Sequence, residues 1–248
     1  MRLRYATYIL PIAFLALFLV YPLGAILRLG LADGATALSA RIIPEVIWFT
    51  FWQAALSTAL TLLAGLPVAY VLTRYDFPGR GVIRALAAAP FVMPVVVVAA
   101  GYIALLGRNG IVNDLLQAWF GAAAPRIEAM NTLGIVLLAH VFYNLSVVVR
   151  LVGGLWSALD PRLEEAAAVL GANRRESLRR VTLPLLLPAI GAAALLVFLF
   201  TFGSFGVVLL LGGPRFATIE VEIYRQTAQA LRLDIAAALS LIQMTVTL

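Results

Sequence analysis

Apolar and polar positions alternate along this chain on a long scale rather than a local one. Apolar runs cover 5–27, 46–72, 85–106, 133–156 and 183–211, and a shorter one runs from 235 to the end. A helix needs about 20 apolar residues to cross about 30 Å of hydrocarbon. In lipid every backbone N–H and C=O must find its partner within the protein, which favours helices over irregular chain. The pattern therefore predicts an all-α, polytopic transmembrane helical bundle of about six spans. The N-terminus, MRLRYATYILPIAFLALFLVYPLGA, starts basic like a signal peptide. Its apolar run is longer than a signal h-region and lacks a small-residue cleavage site, so it is expected to be an uncleaved first span. The last run, IAAALSLIQMTVTL, is too short to span. Residues 1–248 are thus expected to form a single transmembrane domain that is one half of a longer polypeptide, or a truncated one. Pro90, Pro94, Pro184 and Pro188 fall inside or at the mouth of spans, where each removes a backbone donor and is expected to kink its helix.

One block breaks the apolar pattern: DPRLEEAAAVLGANRRESLRRVTLPLLLP, residues 160–188. Its nine acidic and basic side chains would cost about 20 kcal/mol or more together at a bilayer centre, so it lies outside the hydrocarbon. Asp160 followed by Pro161 reads as a helix N-cap with proline at the first position. The predicted helix, 161–170, places Leu163, Ala166, Ala167 and Leu170 on one face and Arg162, Glu164 and Glu165 elsewhere. Gly171 is placed to end it in a left-handed conformation. Asn173 and Glu176 form a capping-box pattern that starts a second helix, on which Glu176 and Arg180 are an i, i+4 pair. Two readings follow: an interfacial hairpin whose arginines face anionic lipid, or a docking element for a soluble partner.

Composition agrees with a membrane protein: 63% hydrophobic residues, 12% charged and a mean hydropathy of +1.00. The net charge of +6 would suggest nucleic acid in a soluble chain. Here it reflects arginines that set orientation, and no nucleic-acid partner is expected. With a cytoplasmic N-terminus, the inside holds Arg2, Arg4, Arg74, Arg80, Arg84, Arg150, Arg162, Arg174, Arg175, Arg179 and Arg180. The outside holds Arg28, Arg41, Arg108, Arg126, Arg215, Arg225 and Arg232, so the positive-inside rule supports this orientation. It puts the charged block on the cytoplasmic side.

Candidate chemistry is sparse. The absence of cysteine excludes disulfides and thiol chemistry, and the absence of lysine excludes a phosphate-binding loop of the Gly-x4-Gly-Lys type. His140, the single histidine, has Tyr143 and Asn144 on neighbouring helix turns and is expected to make an interhelical hydrogen bond rather than an active site. No catalytic residue, metal site or cofactor is expected. An ion-coupled carrier normally places ionisable groups near the midplane. These spans are nearly devoid of them, with Asp234 at the edge of the last and Arg150 near the end of the fourth.

The spacing in the charged block is more specific. Glu165-Ala166-Ala167, three residues, Gly171, nine residues, Val181, one residue, then Leu183-Pro184 resembles the EAA signature of ABC-importer permeases. Val181 stands where that pattern usually has Ile. FWQAALS from Phe51, FPGRG from Phe77, LLAHVFYNLS from Leu137, GGP at Gly212, TIEVEIYR from Thr218 and ALSLIQM near the end are similar to the first half of thiamine-importer permeases. These are relatives of the ferric-iron permeases. Ser146 departs from them, standing where a proline is expected after Asn144-Leu145.

The resemblance implies a type I (MetI-like) permease fold in a bacterial inner membrane. Residues 157–183 would be the cytoplasmic coupling loop, with Glu165, Ala166, Ala167 and Gly171, and beside them Leu163 and Leu170, carrying the contact with an ATPase. Implied partners are a cytoplasmic ATPase dimer that hydrolyses the ATP, a periplasmic solute-binding protein, a second permease half and the lipid bilayer. Thiamine is the implied solute; ferric iron, a polyamine or another small solute are the alternatives. Loops 107–131 and 213–234 would face the periplasm, where the amphipathic IVNDLLQAWFG lies at the interface or touches the binding protein. Asn144, Ser204 and Phe205 are expected to face a central path.

Overall fold

The structure, a computed structural model, describes residues 2–32, 42–121 and 124–247, without the side chains of residues 2–7, 31 and 32. Arg41 and the side chains of Arg2 and Arg4, part of the charge asymmetry above, lie outside the described residues. Every regular element among the described residues is a helix, and contacts divide the chain into two compact units: 1–50 with 217–248, and 51–216.

The first helix, α1, covers 2–32 as Arg2–Leu15 and Tyr21–Ala32 joined by a π-helical turn, Ala16–Val20. Its span, Tyr8–Gly30, has no buried residue within its most apolar window, as expected of a surface that meets lipid or another chain. Helix α2, Ile42–Arg74, is the longest, and its residues 42–50 belong to the first unit and 51–74 to the second.

The third predicted span, 85–106, is not one helix. Amphipathic α3, Arg80–Ala88, passes into a 3-10 turn, Ala89–Val92, and the backbone turns extended at Met93 and Pro94 before α4, Val95–Leu106, begins. Two prolines four residues apart cause this break, because Pro94 disfavours helical backbone at Met93. After a turn at 107–110, α5, Ile111–Phe120, forms from the amphipathic stretch. Helix α6, Leu133–Ala158, is capped by Thr132, whose side chain accepts from the Ile135 N–H. Ser146 sits inside it, and the helix continues without the break a proline would impose.

The charged block forms α7, Arg162–Val169, one residue shorter at each end than predicted. Helix α8 covers 174–202: Arg174–Ser177, a π-helical turn Leu178–Thr182, and Leu183–Phe202. It departs twice from the predicted fifth span. It starts nine residues before Leu183, and it stops at Gly203, leaving Gly206–Leu211 as a separate short helix, α9. Pro184 and Pro188 do not break it. The widened π turn immediately before Pro184 accommodates the missing donor and the ring.

In the second unit α6 and α8 pack along their length around Val147, Val148, Val152, Trp156, Leu186, Ala193 and Val197, with Leu62, Leu66 and Tyr70 of α2 against them. In the first unit, α10, Ile219–Ala228, and α11, Leu233–Thr247, pack on each other, and α11 packs on Tyr21–Ala32. The Ile219 N–H donates to Thr50 Oγ1 at 3.0 Å, fixing the start of α10. Five stretches are long and apolar enough to cross a membrane: Tyr8–Gly30, Ile42–Arg74, Val95–Phe120 with its turn, Leu133–Ala158 and Arg174–Phe202. Helix α11 is a shorter apolar helix.

Candidate functional site

Residues 157–183 form a helix, a glycine turn and a second helix start, all built by local hydrogen bonds. The Asp160 carboxylate accepts from the Arg162 N–H at 2.9 Å, so it caps α7 although Pro161 occupies the boundary. At the other end Gly171 has φ +87°. Its N–H donates to the Ala168 carbonyl and the Ala172 N–H to the Ala167 carbonyl, both at 3.0 Å, which is the Schellman arrangement. Two residues on, Asn173 Oδ1 accepts from the Glu176 N–H and the Glu176 carboxylate accepts from the Asn173 N–H. That reciprocal use displaces the expected pairing of Glu176 with Arg180: among the described residues no ion pair joins them. With caps on both sides of the four-residue turn 170–173, the loop is a stiff hairpin.

The face predicted for α7 is split by the structure. Ala167 is turned inward, 9% exposed, and lets α7 lie close to its own unit. Leu163, Ala166 and Leu170 face outward, together with Val169; Val169 and Leu170 are each 87% exposed. Glu165 is exposed and has no hydrogen-bond or ion-pair partner among the described residues. The loop thus presents an apolar tip with one carboxylate beside it, on a backbone that cannot easily deform.

What holds this tip in place is a set of contacts that the sequence reading passed over. Glu164 Oε1 accepts from Arg74 Nη2 at the end of α2 and from Thr182 Oγ1, 2.7 Å away, in the π turn of α8. Arg174 Nη2 donates to the hydroxyls of Tyr70 and Tyr75 at 3.0 and 3.1 Å. The Tyr70 hydroxyl and the Arg174 guanidinium hold the Tyr75 phenol below its ordinary pKa. Tyr70 in turn lies against Trp156, ring centroids 5.3 Å apart. Arg74, Tyr70 and Tyr75 are 90 or more positions from their partners in the loop, so no local pattern points to them.

A second constellation lies where α8 breaks. Buried His140 on α6 has Nδ1 2.9 Å from Ser57 Oγ on α2 and Nε2 2.8 Å from Ser204 Oγ in the break. Asn144 Nδ2 donates to the His140 carbonyl one turn earlier. The expected interhelical role of His140 is what the geometry shows. Asn144, Ser204 and Phe205 come together on the wall of one recess of about 270 Å³, with Phe91, Met93, Tyr143 and Phe200 around them. The lining carries aromatic faces, hydroxyls, an amide and one imidazole, and no side chain with a fixed charge. No cluster of His, Cys, Asp or Glu that would hold a metal occurs among the described residues.

Elsewhere, Asn113 of α5 is buried and pins a loop: its amide donates to the carbonyls of Gly107 and Ile127 and accepts from the Ile127 N–H at 2.8 Å. The stretch expected to be an interfacial helix is therefore also a structural bracket.

A capped, charged hairpin thus lies between the apolar helices α6 and α8 and carries an outward apolar tip. The chain belongs to the binding-protein-dependent transport system inner membrane components, whose family model matches residues 61–248. It is a multi-pass membrane protein with the all-α fold of type I ABC-importer permeases. Over 236 residues it is 33% identical to the thiamine transport system permease protein ThiP of Brucella abortus, covering 91% of this chain and 42% of that protein. It is 37% identical over 205 residues to ThiP of Escherichia coli, covering 81% and 37%. To the sulfate transport system permease protein CysT of Salmonella typhimurium it is 33% identical, covering 81% and 72%. The chain spans less than half the length of the thiamine relatives. Among solved structures, a bacterial alginate ABC importer matches with a TM-score of 0.81 at 21% identity, covering 99% of this chain and 91% of the other. The MetNI methionine ABC transporter matches with a TM-score of 0.61 at 15% identity, covering 84% and 90%.

Proposed function

We propose that this chain forms half of the translocation path of an ATP-driven, binding-protein-dependent importer, with thiamine as its solute. The observation that carries the class of activity is the capped hairpin at 157–183, whose outward tip of Leu163, Ala166, Val169 and Leu170 is solvent-exposed apolar surface on a rigid support. In this reading the tip and Glu165 sit in a groove of a cytoplasmic ATPase, Ala167 allows α7 to lie close to its own helices, and Gly171 makes the turn. A second permease half pairs with this one, and a periplasmic binding protein delivers the solute on the opposite side, so the N-terminus is cytoplasmic. ATP-driven closure of the ATPase pair draws the two loops together and turns the path outward. ATP hydrolysis belongs to those partner subunits.

Thiamine is supported by the similarity to ThiP proteins along nine-tenths of the chain and by the chemistry of the recess. Phe91, Tyr143, Phe200 and Phe205 offer π faces, which attract organic cations without a counter-charge. A flat cationic ring with an attached aminopyrimidine suits such walls, with Asn144 and Ser204 as hydrogen-bond partners. Sulfate finds no guanidinium there, and ferric iron finds no carboxylate. An aromatic, weakly binding wall also suits a path, because a solute must leave as easily as it enters.

The test is uptake of labelled thiamine at nanomolar concentration by cells with and without the complete gene, with ferric iron, a polyamine and sulfate run in parallel. Loss of thiamine uptake alone is the expected result. Loss of another solute with thiamine unchanged overturns the substrate assignment and leaves the importer assignment standing.

A further inference from the structure

We infer that Glu164, the carboxylate next to the signature Glu165, is a positioning residue that fastens the docking loop to helix α2, and that α2 carries the loop's displacement to the recess. The inference rests on the importer reading above.

The two neighbouring carboxylates point in different directions. Glu165 faces outward and is exposed, whereas Glu164 turns inward and joins three elements through one oxygen: α7 itself, Arg74 at the end of α2, and Thr182 in the π turn of α8. Thr182 is buried, and the Arg74 and Glu164 side chains are only 30% and 32% exposed, so water competes less for this pair than for a free surface pair. A second tie, Arg174 to Tyr70 and Tyr75, holds the far end of the hairpin to the same last turns of α2. A hairpin capped at both ends and fastened at two points moves as a unit with what it is fastened to.

Helix α2 then leads away from the loop. Ser57, 17 residues before Arg74 and so about 25 Å along the axis, bonds His140, and His140 bonds Ser204 in the break that forms the recess wall. At Gly65, between these points, α2 touches α6 so closely that a Cβ there would lie 2.7 Å from Val148 Cβ. The same helix is therefore gripped by the loop at its C-terminal end, supported on α6 at Gly65 and bonded through Ser57, near its midpoint, to the recess wall. Among the described residues, Glu164 is the one charged side chain of the hairpin that grips α2 through an ion pair.

The experiment uses the complete transporter, with its second permease half, ATPase subunits and binding protein, reconstituted in vesicles and supplied with thiamine-loaded binding protein. Thiamine moved per ATP hydrolysed is compared for the parent, Glu164→Gln, Glu164→Ala, Arg74→Glu, Glu164→Arg and the exchanged pair Arg74→Glu with Glu164→Arg. ATPase copurification and thermal stability are followed in parallel. Coupling between distant sites commonly amounts to 5- to 150-fold. The expected result is a ratio lowered about tenfold in Glu164→Ala and in each single reversal. Glu164→Gln should fall in the same direction, with ATPase subunits bound in every variant, and the exchanged pair should recover most of the ratio. A merely structural pair would move assembly and thermal stability and leave the ratio alone. A Glu164→Gln ratio within twofold of the parent, or an exchanged pair no better than its single reversals, overturns the inference. A parent complex that binds no ATPase overturns the importer reading and this inference together, and the parent shows that before any variant is made.

Discussion

His140 Nε2 lies 2.8 Å from Ser204 Oγ while its Nδ1 lies 2.9 Å from Ser57 Oγ, so one buried imidazole ties α2 and α6 to the break after α8. Burial of a ring with both nitrogens satisfied explains why the single histidine is a strut. Replacing it with Leu removes the hydrogen bond that His140 makes with each serine hydroxyl. The expected loss is about 1–2 kcal/mol, since interhelical hydrogen bonds in membranes are individually modest. Thermal unfolding in detergent checks it: an unchanged midpoint for His140→Leu would show that the two hydrogen bonds contribute nothing.

Gly171 stands in open space with φ +87°, so a side chain there meets no neighbour and the cost is in the backbone alone. Asn tolerates the left-handed region and a β-branched residue does not. Gly171→Asn should keep ATP-coupled uptake near the parent level. Gly171→Val and Gly171→Arg should insert normally and lose most of it, with a local penalty of about 1–2 kcal/mol. Normal uptake by Gly171→Arg would remove the glycine from the coupling assignment.

Gly65 poses the opposite case, where space rather than φ is decisive. An added Cβ would fall 2.7 Å from Val148 Cβ, an atom fixed to its own helix. Gly65→Val is expected to destabilise the α2–α6 contact by about 1–3 kcal/mol. Val148→Ala in the same chain should return part of that loss. A double-mutant cycle by thermal unfolding measures it, and strict additivity would mean the two sites do not touch.

Val169 and Leu170 contribute almost nothing to the folded chain by itself, being 87% exposed. Changing either to Asp should leave thermal stability within about 0.5 kcal/mol, as for other surface positions. The same change should cut retention of the ATPase during copurification several-fold. Full retention by both variants would place the docking surface elsewhere.

The sequence by itself determined the helices, the charged block and its caps, because these depend on local physics. A long apolar run forms a span, Asn173 and Glu176 satisfy each other across three residues, and Gly171 tolerates a turn that other residues resist. Its errors came where local rules compete. The two prolines of APFVMP opened the third span, while Pro184, which follows a π turn, and Pro188 left α8 continuous. The helical wheel for 161–170 grouped Ala167 with Leu163 and Leu170, yet only contact with the rest of the unit selects which side of a short helix is buried.

Tertiary structure alone decided the rest. Glu164 reaches across 90 positions to Arg74, Arg174 across 104 to Tyr70, and His140 bonds residues 83 before and 64 after it. No periodicity encodes such partners, because they are brought together by the packing of whole helices. The stretch 157–183 was legible as a loop from its charges, but which of its two adjacent carboxylates faces outward and which holds the loop down was settled by where α2 ends.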